Sequence, residues 1–199
     1  MNKVCLKGVL KNIQESHTIQ NMNFQSAQLI VPTDKGTEDV INIKFKSFSN
    51  KYKENDIIAI TGNLRSYSYR ADDTHNRVQL YVFTYFDQPE DVIVENEVQI
   101  DGRICKINPL RTAKNKTRNI HFILANNIIV ENSSKRLNSY IPCIAWGAQA
   151  DKISELSVNS KVAIKGYIHS REHKVTNHLG EIELRLVHEL VVDDVEVIK

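Results

Sequence analysis

Asn2-Lys3-Val4-Cys5-Leu6-Lys7-Gly8-Val9-Leu10 opens the chain, and Asn96-Glu97-Val98-Gln99-Ile100-Asp101-Gly102-Arg103-Ile104 restates it 94 residues later. Asn, Val, an aliphatic residue, Gly and a second aliphatic recur in the same order. A second block, Ile58-Ala59-Ile60-Thr61-Gly62-Asn63-Leu64-Arg65-Ser66, returns as Val162-Ala163-Ile164-Lys165-Gly166-Tyr167-Ile168-His169-Ser170. The offset of that second block also lays Val78-Gln79-Leu80-Tyr81-Val82 on Ile182-Glu183-Leu184-Arg185-Leu186. Three blocks in one order mark the duplication of a unit of roughly a hundred residues. The chain therefore reads as two homologous domains, 1–92 and 95–199, and its 199 residues suffice for two small cores.

Within each block apolar and polar residues alternate, the period-two pattern of a half-buried strand. The pattern predicts strands near 3–13, 23–32, 39–46, 56–68 and 77–86, then 97–107, 118–130, 139–146, 160–171 and 181–192. Glycines inside the first and fourth strands of each unit mark sharp bends at barrel corners. A helix is predicted over 148–156, where Ala150, Ile153 and Leu156 recur at helical spacing. Its counterpart in the first unit, 49–55, is shorter. Five strands with a helix between the third and fourth describe an OB-fold, a five-stranded Greek-key barrel. The fold class is all-β: two tandem OB-folds joined by the short acidic linker 87–91.

Composition narrows the function by exclusion. With 41% apolar residues, 25% charged and a net charge of +2, the bulk numbers describe an ordinary globular protein and announce no partner. No run is long enough to span a bilayer and the start lacks a secretory apolar stretch, so a cytoplasmic location and no membrane partner are expected. Cys5, Cys105 and Cys143 are scattered and odd in number, which predicts reduced, mostly buried thiols. His169, His173, His178 and His188 lack metal-ligand spacing and are expected on the surface of a hairpin, so neither metal nor cofactor is expected. No phosphate-cradling, zinc-protease or nucleophile-elbow motif occurs, and the reading is of a protein without catalytic activity.

Several of these segments resemble the bacterial single-stranded DNA-binding protein family. Asn2-Lys3-Val4-x-Leu6-x-Gly8-x-Leu10 is similar to its first strand, and Ile141-Pro142-Cys143-Ile144-Ala145-Trp146-Gly147-Ala148-Gln149-Ala150 to its third strand and the turn into its helix. Ile58-x-Ile60-x-Gly62-x-Leu64-Arg65-Ser66 and Val162-x-Ile164-x-Gly166-x-Ile168 resemble its fourth strand. The resemblance covers most of the chain. It implies sequence-tolerant binding of single-stranded DNA in replication, repair or recombination, association with the nucleoid, and a homodimer presenting four OB barrels. It also implies stacking positions at Trp146, Tyr140 and Tyr69, with Phe45 as the match to Trp146 in the first unit. The family's flexible tail with an acidic tip, which recruits replication proteins, has no counterpart in the closing 191–199. That departure leaves a primosome-type OB adaptor, bridging replication proteins, as the alternative reading.

Elementary physics supports the stacking role, because every base presents a π-face that an exposed aromatic ring can cover. Trp146, the only tryptophan, is flanked by Ala145 and Gly147, which leave its faces open. Tyr52, Tyr67, Tyr81, Tyr85 and Phe86 receive no assignment. Arg103, Lys106, Arg111, Lys114, Lys116 and Arg118 form a basic run without an acidic residue, in and around the loop between the first two strands of the second unit. That loop lines the nucleic-acid groove of OB-folds, so phosphate contacts are expected there. The matching loop of the first unit, 14–22, has no lysine or arginine; Lys44, Lys46, Arg65 and Arg70 are its candidates for phosphate.

Overall fold

The computed structural model describes residues 1–19, 21–46, 52–70, 76–84, 95–129, 136–176 and 180–198. Along β1 (Asn2–Ile19), Val4, Leu6 and Leu10 point inward and are fully buried, as the alternation requires. β1 pairs with β2 (Met22–Pro32), and β2 with β3 (Glu38–Lys46). β3 runs parallel to β5 (Asn76–Thr84), β5 pairs with β4 (Ile57–Arg70), and β4 returns to β1. The ring closes around Leu29, Ile41, Ile43, Phe45, Ile60, Leu64, Leu80 and Val82.

The second half repeats the circuit. β6 (Asn96–Ile107) pairs with β8 (Arg118–Ile129), β8 with β9 (Arg136–Trp146), and β9 runs parallel to β11 (Ile182–Val197). β11 pairs with β10 (Lys161–Thr176), which returns to β6. A two-residue strand, β7 (Arg111–Thr112), adds to β8, and α1 (Gly147–Ser154) sits between β9 and β10 with Ala150 and Ile153 buried. This is the OB connectivity predicted from the repeat. Part of the first unit's expected helix, 49–51, and the linker 87–91 lie outside the described residues.

Ladder registers show which residues are equivalent, and they correct one sequence match. Gly62 pairs with Thr84, and Gly166 with Val192. Val78–Val82 therefore corresponds to 186–190, not to 182–186. The hairpin between β10 and β11 is longer than its counterpart by two residues on each strand, Val175 and Thr176 pairing with Glu183 and Ile182, which shifts the alignment by four residues. Likewise Phe45 pairs with Thr84 and Ala145 with Val192, so Phe45 corresponds to Ala145, and Lys46 to Trp146.

The rings meet along an antiparallel β1–β6 pairing in which Val4 faces Val98, its own repeat equivalent. A pseudo-two-fold axis therefore passes between them, the geometry of an isologous interface within one chain. The polar contacts obey the same symmetry. Asn2 exchanges two hydrogen bonds with the backbone of Leu64, and Asn96 with that of Ile168. Across the interface Ser66 Oγ accepts the Tyr140 N–H at 2.8 Å, and Ser170 Oγ accepts the Val40 N–H at 2.8 Å. Close crossings are made by glycine: a Cβ at Gly166 would lie 1.9 Å from the Val191 carbonyl oxygen.

Two side-chain expectations change. Cys143 is buried, and burial pushes its thiol pKa far up, but Cys105 is exposed on β6. Of the histidines expected on the surface, His188 is buried, donating from Nε2 to the Val40 carbonyl at 2.7 Å, because its strand faces the other ring at that point. His178 lies outside the described residues.

Candidate nucleic-acid interface

Because Leu64, Leu80 and Val82 point into the first ring, Arg65, Tyr67 and Tyr69 on β4 and Gln79, Tyr81 and Phe83 on β5 must point outward. β3 adds Asn42, Lys44 and Lys46 to this outer face, between core residues Ile41, Ile43 and Phe45. The result is a surface on which cations interleave with rings. Lys44 Nζ lies 4.7 Å from the Tyr67 ring centre and 4.9 Å from that of Tyr81. The Arg65 guanidinium sits 4.1 Å over the Phe83 ring, and its Nε has no hydrogen-bond partner among the described residues. Tyr67 leans against Tyr69 and Tyr81 with ring centres 6.0 and 5.8 Å apart. Phe24 of β2 extends the row, stacked on His17 and 6.0 Å from Phe83.

The electrostatics follow from this crowding. Partial burial lowers the Lys44 pKa, since the ammonium loses water without gaining an ion pair. Burial, helped by Tyr69 and Tyr81, raises that of Tyr67. An anion arriving beside Lys44 would replace the lost solvation, and flat rings on either side suit bases.

The equivalent face of the second ring is built differently. In register, Tyr81 becomes Glu189, Tyr67 becomes Arg171, Lys44 becomes Ile144 and Phe83 becomes Val191. Glu189 is held by Arg171 at 3.5 Å and faces His121 at 3.8 Å. This face borders a groove of about 980 Å³ that the β2–β3 turn of the first ring completes. Trp146, 40% exposed, lines it, as does Asp193, whose pKa burial raises.

The anticipated stacking residues divide. Trp146, Tyr140 and Tyr69 are exposed at 40–46%. Phe45 is a correction: it is 4% exposed and belongs to the barrel core, because it falls on the inward phase of β3. Lys46 occupies the place of Trp146. The anticipated cations divide too. Arg111, Lys114 and Lys116 stand exposed around a tight turn closed by Ala113 and Thr117, with no ion-pair partner among the described residues. Register places Arg111 beside Asn119, which is beside Trp146. Arg118 is instead engaged by Asp151 of α1 at 2.6 Å, and Arg103 donates to the Asn159 carbonyl. Lys106 and Arg70 are exposed, and Lys44, Lys46 and Arg65 share the first ring's face.

Sequence reasoning passed over Tyr67, Tyr81 and Phe83, although the signal was there. Alternation from buried Leu64 and Leu80 puts positions 65, 67, 81 and 83 on the opposite, outward face, which selects all of them. Among the described residues no group of three metal-ligating side chains converges, and no helix is long and apolar enough to cross a membrane.

Closed five-stranded rings of this connectivity, with loops and outer strands carrying the chemistry, define an OB-fold protein. The single-strand binding protein family model matches residues 95–198, more than half of the chain, and the chain belongs to that family, which is not an enzymatic one. Among solved structures, the wild-type single-stranded DNA binding protein from Thermus aquaticus superposes with a TM-score of 0.73 at 17% identity, covering 100% of this chain and 93% of that one. A deletion mutant of the same protein gives 0.71 at 16% identity, covering 100% and 95%. At such identities the likeness is one of fold. The protein priB from Ralstonia solanacearum overlaps 52% of this chain with a TM-score of 0.40, too loose to carry weight. No curated protein matches the sequence.

Proposed function

We propose that this chain binds single-stranded DNA with little dependence on sequence, as two OB domains spanning 1–92 and 95–199, and shields it during replication, repair or recombination. The observation that carries this is the first ring's outer face, where Lys44 and Arg65 lie among Tyr67, Tyr81 and Phe83. Rings take up bases and cations take up phosphates without reading sequence. The exposed Arg111, Lys114 and Lys116 supply a second phosphate track that leads to Trp146 and Tyr140. The two faces bind unequally, since acidic Glu189 and Asp193 stand on the second. Two chains assembling as a homodimer would present four barrels, and sedimentation giving twice the chain mass of 22.8 kDa is the expected reading.

The direct test titrates the protein with oligo-dT at low salt, following the fluorescence of its one tryptophan. Quenching that saturates, and an affinity that falls linearly with the logarithm of salt concentration, are expected. Absence of any oligo-dT binding at low salt, by fluorescence or gel shift, overturns the proposal.

A further inference from the structure

A cleft of about 440 Å³ lies on the first ring between the far end of β1 and the β3–β5 face. That size falls within the range of small-molecule sites, about 300–1,000 Å³. Its lining is unusual in kind: it holds the carboxamides of Asn12, Gln14, Gln28, Asn42 and Gln79, together with Tyr67, Tyr81 and Lys44. Shifts of register after Lys11 and after Glu15 bend β1 over the face, with Asn12 in the left-handed region at φ 54°. The bend places Asn12 Nδ2 2.6 Å from Gln28 Oε1.

Much of this hydrogen-bonding capacity is unspent. Gln79 Oε1 accepts from the Tyr67 hydroxyl, and Asn42 Nδ2 makes only a long contact of 3.4 Å to the Leu80 carbonyl. Among the described residues no protein partner meets Gln79 Nε2, Gln28 Nε2, Asn42 Oδ1 or the Gln14 amide. A surface that only tracked a backbone would need cations and rings, not a ring of amides. The second ring makes the same point by contrast: register sets Ile123, Pro142 and Val187 where the first has Gln28, Asn42 and Gln79.

We infer that this cleft is a base-reading pocket that favours adenine, so that one nucleotide along the bound strand is chosen by its edge rather than by its face. A carboxamide offers an N–H donor beside a carbonyl acceptor, and adenine answers with its N6 amino group beside a ring nitrogen, the bidentate pairing that Asn and Gln make. Single-stranded bases present those edges freely. Tyr67 or Tyr81 covers the base's face, and Lys44 meets its phosphate. The inference rests on the single-stranded DNA reading and adds a preference to it at one position.

The full chain is titrated with end-labelled oligo-dT and with the same oligomer carrying a single dA, dC or dG at the centre, read by fluorescence anisotropy. The dA oligomer is expected to bind at least about threefold tighter than all-dT. Q79M combined with N42L keeps side-chain size and removes amide edges, and should bring that ratio to one, each ratio being taken against the variant's own oligo-dT affinity. Trp146→Ala should weaken every oligomer and leave the ratio intact. Thermal unfolding of each variant shows that it is folded, and if the double variant is not, Asn42→Leu alone carries the comparison. Equal affinities for all four oligomers, a preference for another base, or an adenine advantage that survives loss of the amides overturns the pocket and leaves DNA binding standing. Failure of every oligomer to bind overturns both.

Discussion

Trp146 and Phe45 occupy the same strand of the two rings, one residue apart in register, and that single step decides what each ring does. Phe45 belongs with Ile43, Leu64 and Val82 to the buried core, so Phe45→Ala should cost about 3–5 kcal/mol of stability in denaturant titrations. Any loss of DNA affinity should be explained by unfolding. Trp146, partly open to solvent, should behave oppositely: Trp146→Ala should change stability by no more than about 1 kcal/mol. The same change should remove about 1–3 kcal/mol of oligo-dT affinity in anisotropy titrations. An equal stability loss in both variants would show that the indole is structural. The alternation of Ile41, Ile43 and Phe45 itself places Phe45 inside; only the family resemblance sets it against Trp146, and its flanks, Lys44 and Lys46, do not match the small residues beside that tryptophan. Tyr67 and Tyr81 were legible by that same alternation. That Lys44 lies over both rings was not, because alternation fixes the face of a side chain but not which ring it reaches across β3, β4 and β5.

Strands and hairpins carried the clearest signal, since each needed only a period of two and a glycine. Every predicted strand has its counterpart, and what the pattern missed is where strands continue after they leave the core. β1 runs to Ile19, and β10 and β11 extend as a long arm on which Ile182 and Leu184 are exposed, so burial no longer imposes a period there. The four-residue slip in the third block has this origin. The glycines of the fourth strands are legible because their role is steric. Gly166→Ala would thrust a methyl group against the Val191 carbonyl and should cost about 1–3 kcal/mol or more. Gly36→Ala meets nothing within 4 Å and pays only for its positive φ, about 1–2 kcal/mol. Denaturation midpoints that rank the two variants in the reverse order would show that the β10–β11 crossing yields.

Beside the β1–β6 pairing, the two rings are joined by a contact that no motif announces. His188, Asp39, His169 and Ser170 meet where β3 of one ring docks on the hairpin of the other. Burial keeps the His188 pKa below its ordinary 6.5, against smaller opposing effects of the Val40 carbonyl and Asp39. Between that lowered value and 6.5 the unfolded chain binds more protons than the folded one, so stability rises with pH across the window and falls on acidification. His188→Gln retains an N–H donor but cannot titrate. Its unfolding free energy should lose part of the wild-type decline as pH drops below 6.5, in urea melts across that range. An identical decline in both proteins would show that His188 does not carry the acid sensitivity.

The axis between Val4 and Val98 has a consequence for how such a molecule can change. Two separate identical subunits must accept every mutation twice, so whatever helps one partner is forced on the other. Fusing them releases that constraint: a carboxylate can enter at Glu189 while its twin position keeps a tyrosine, and the main-chain pairing of β1 with β6 is the same whichever side chains stand on the outer faces.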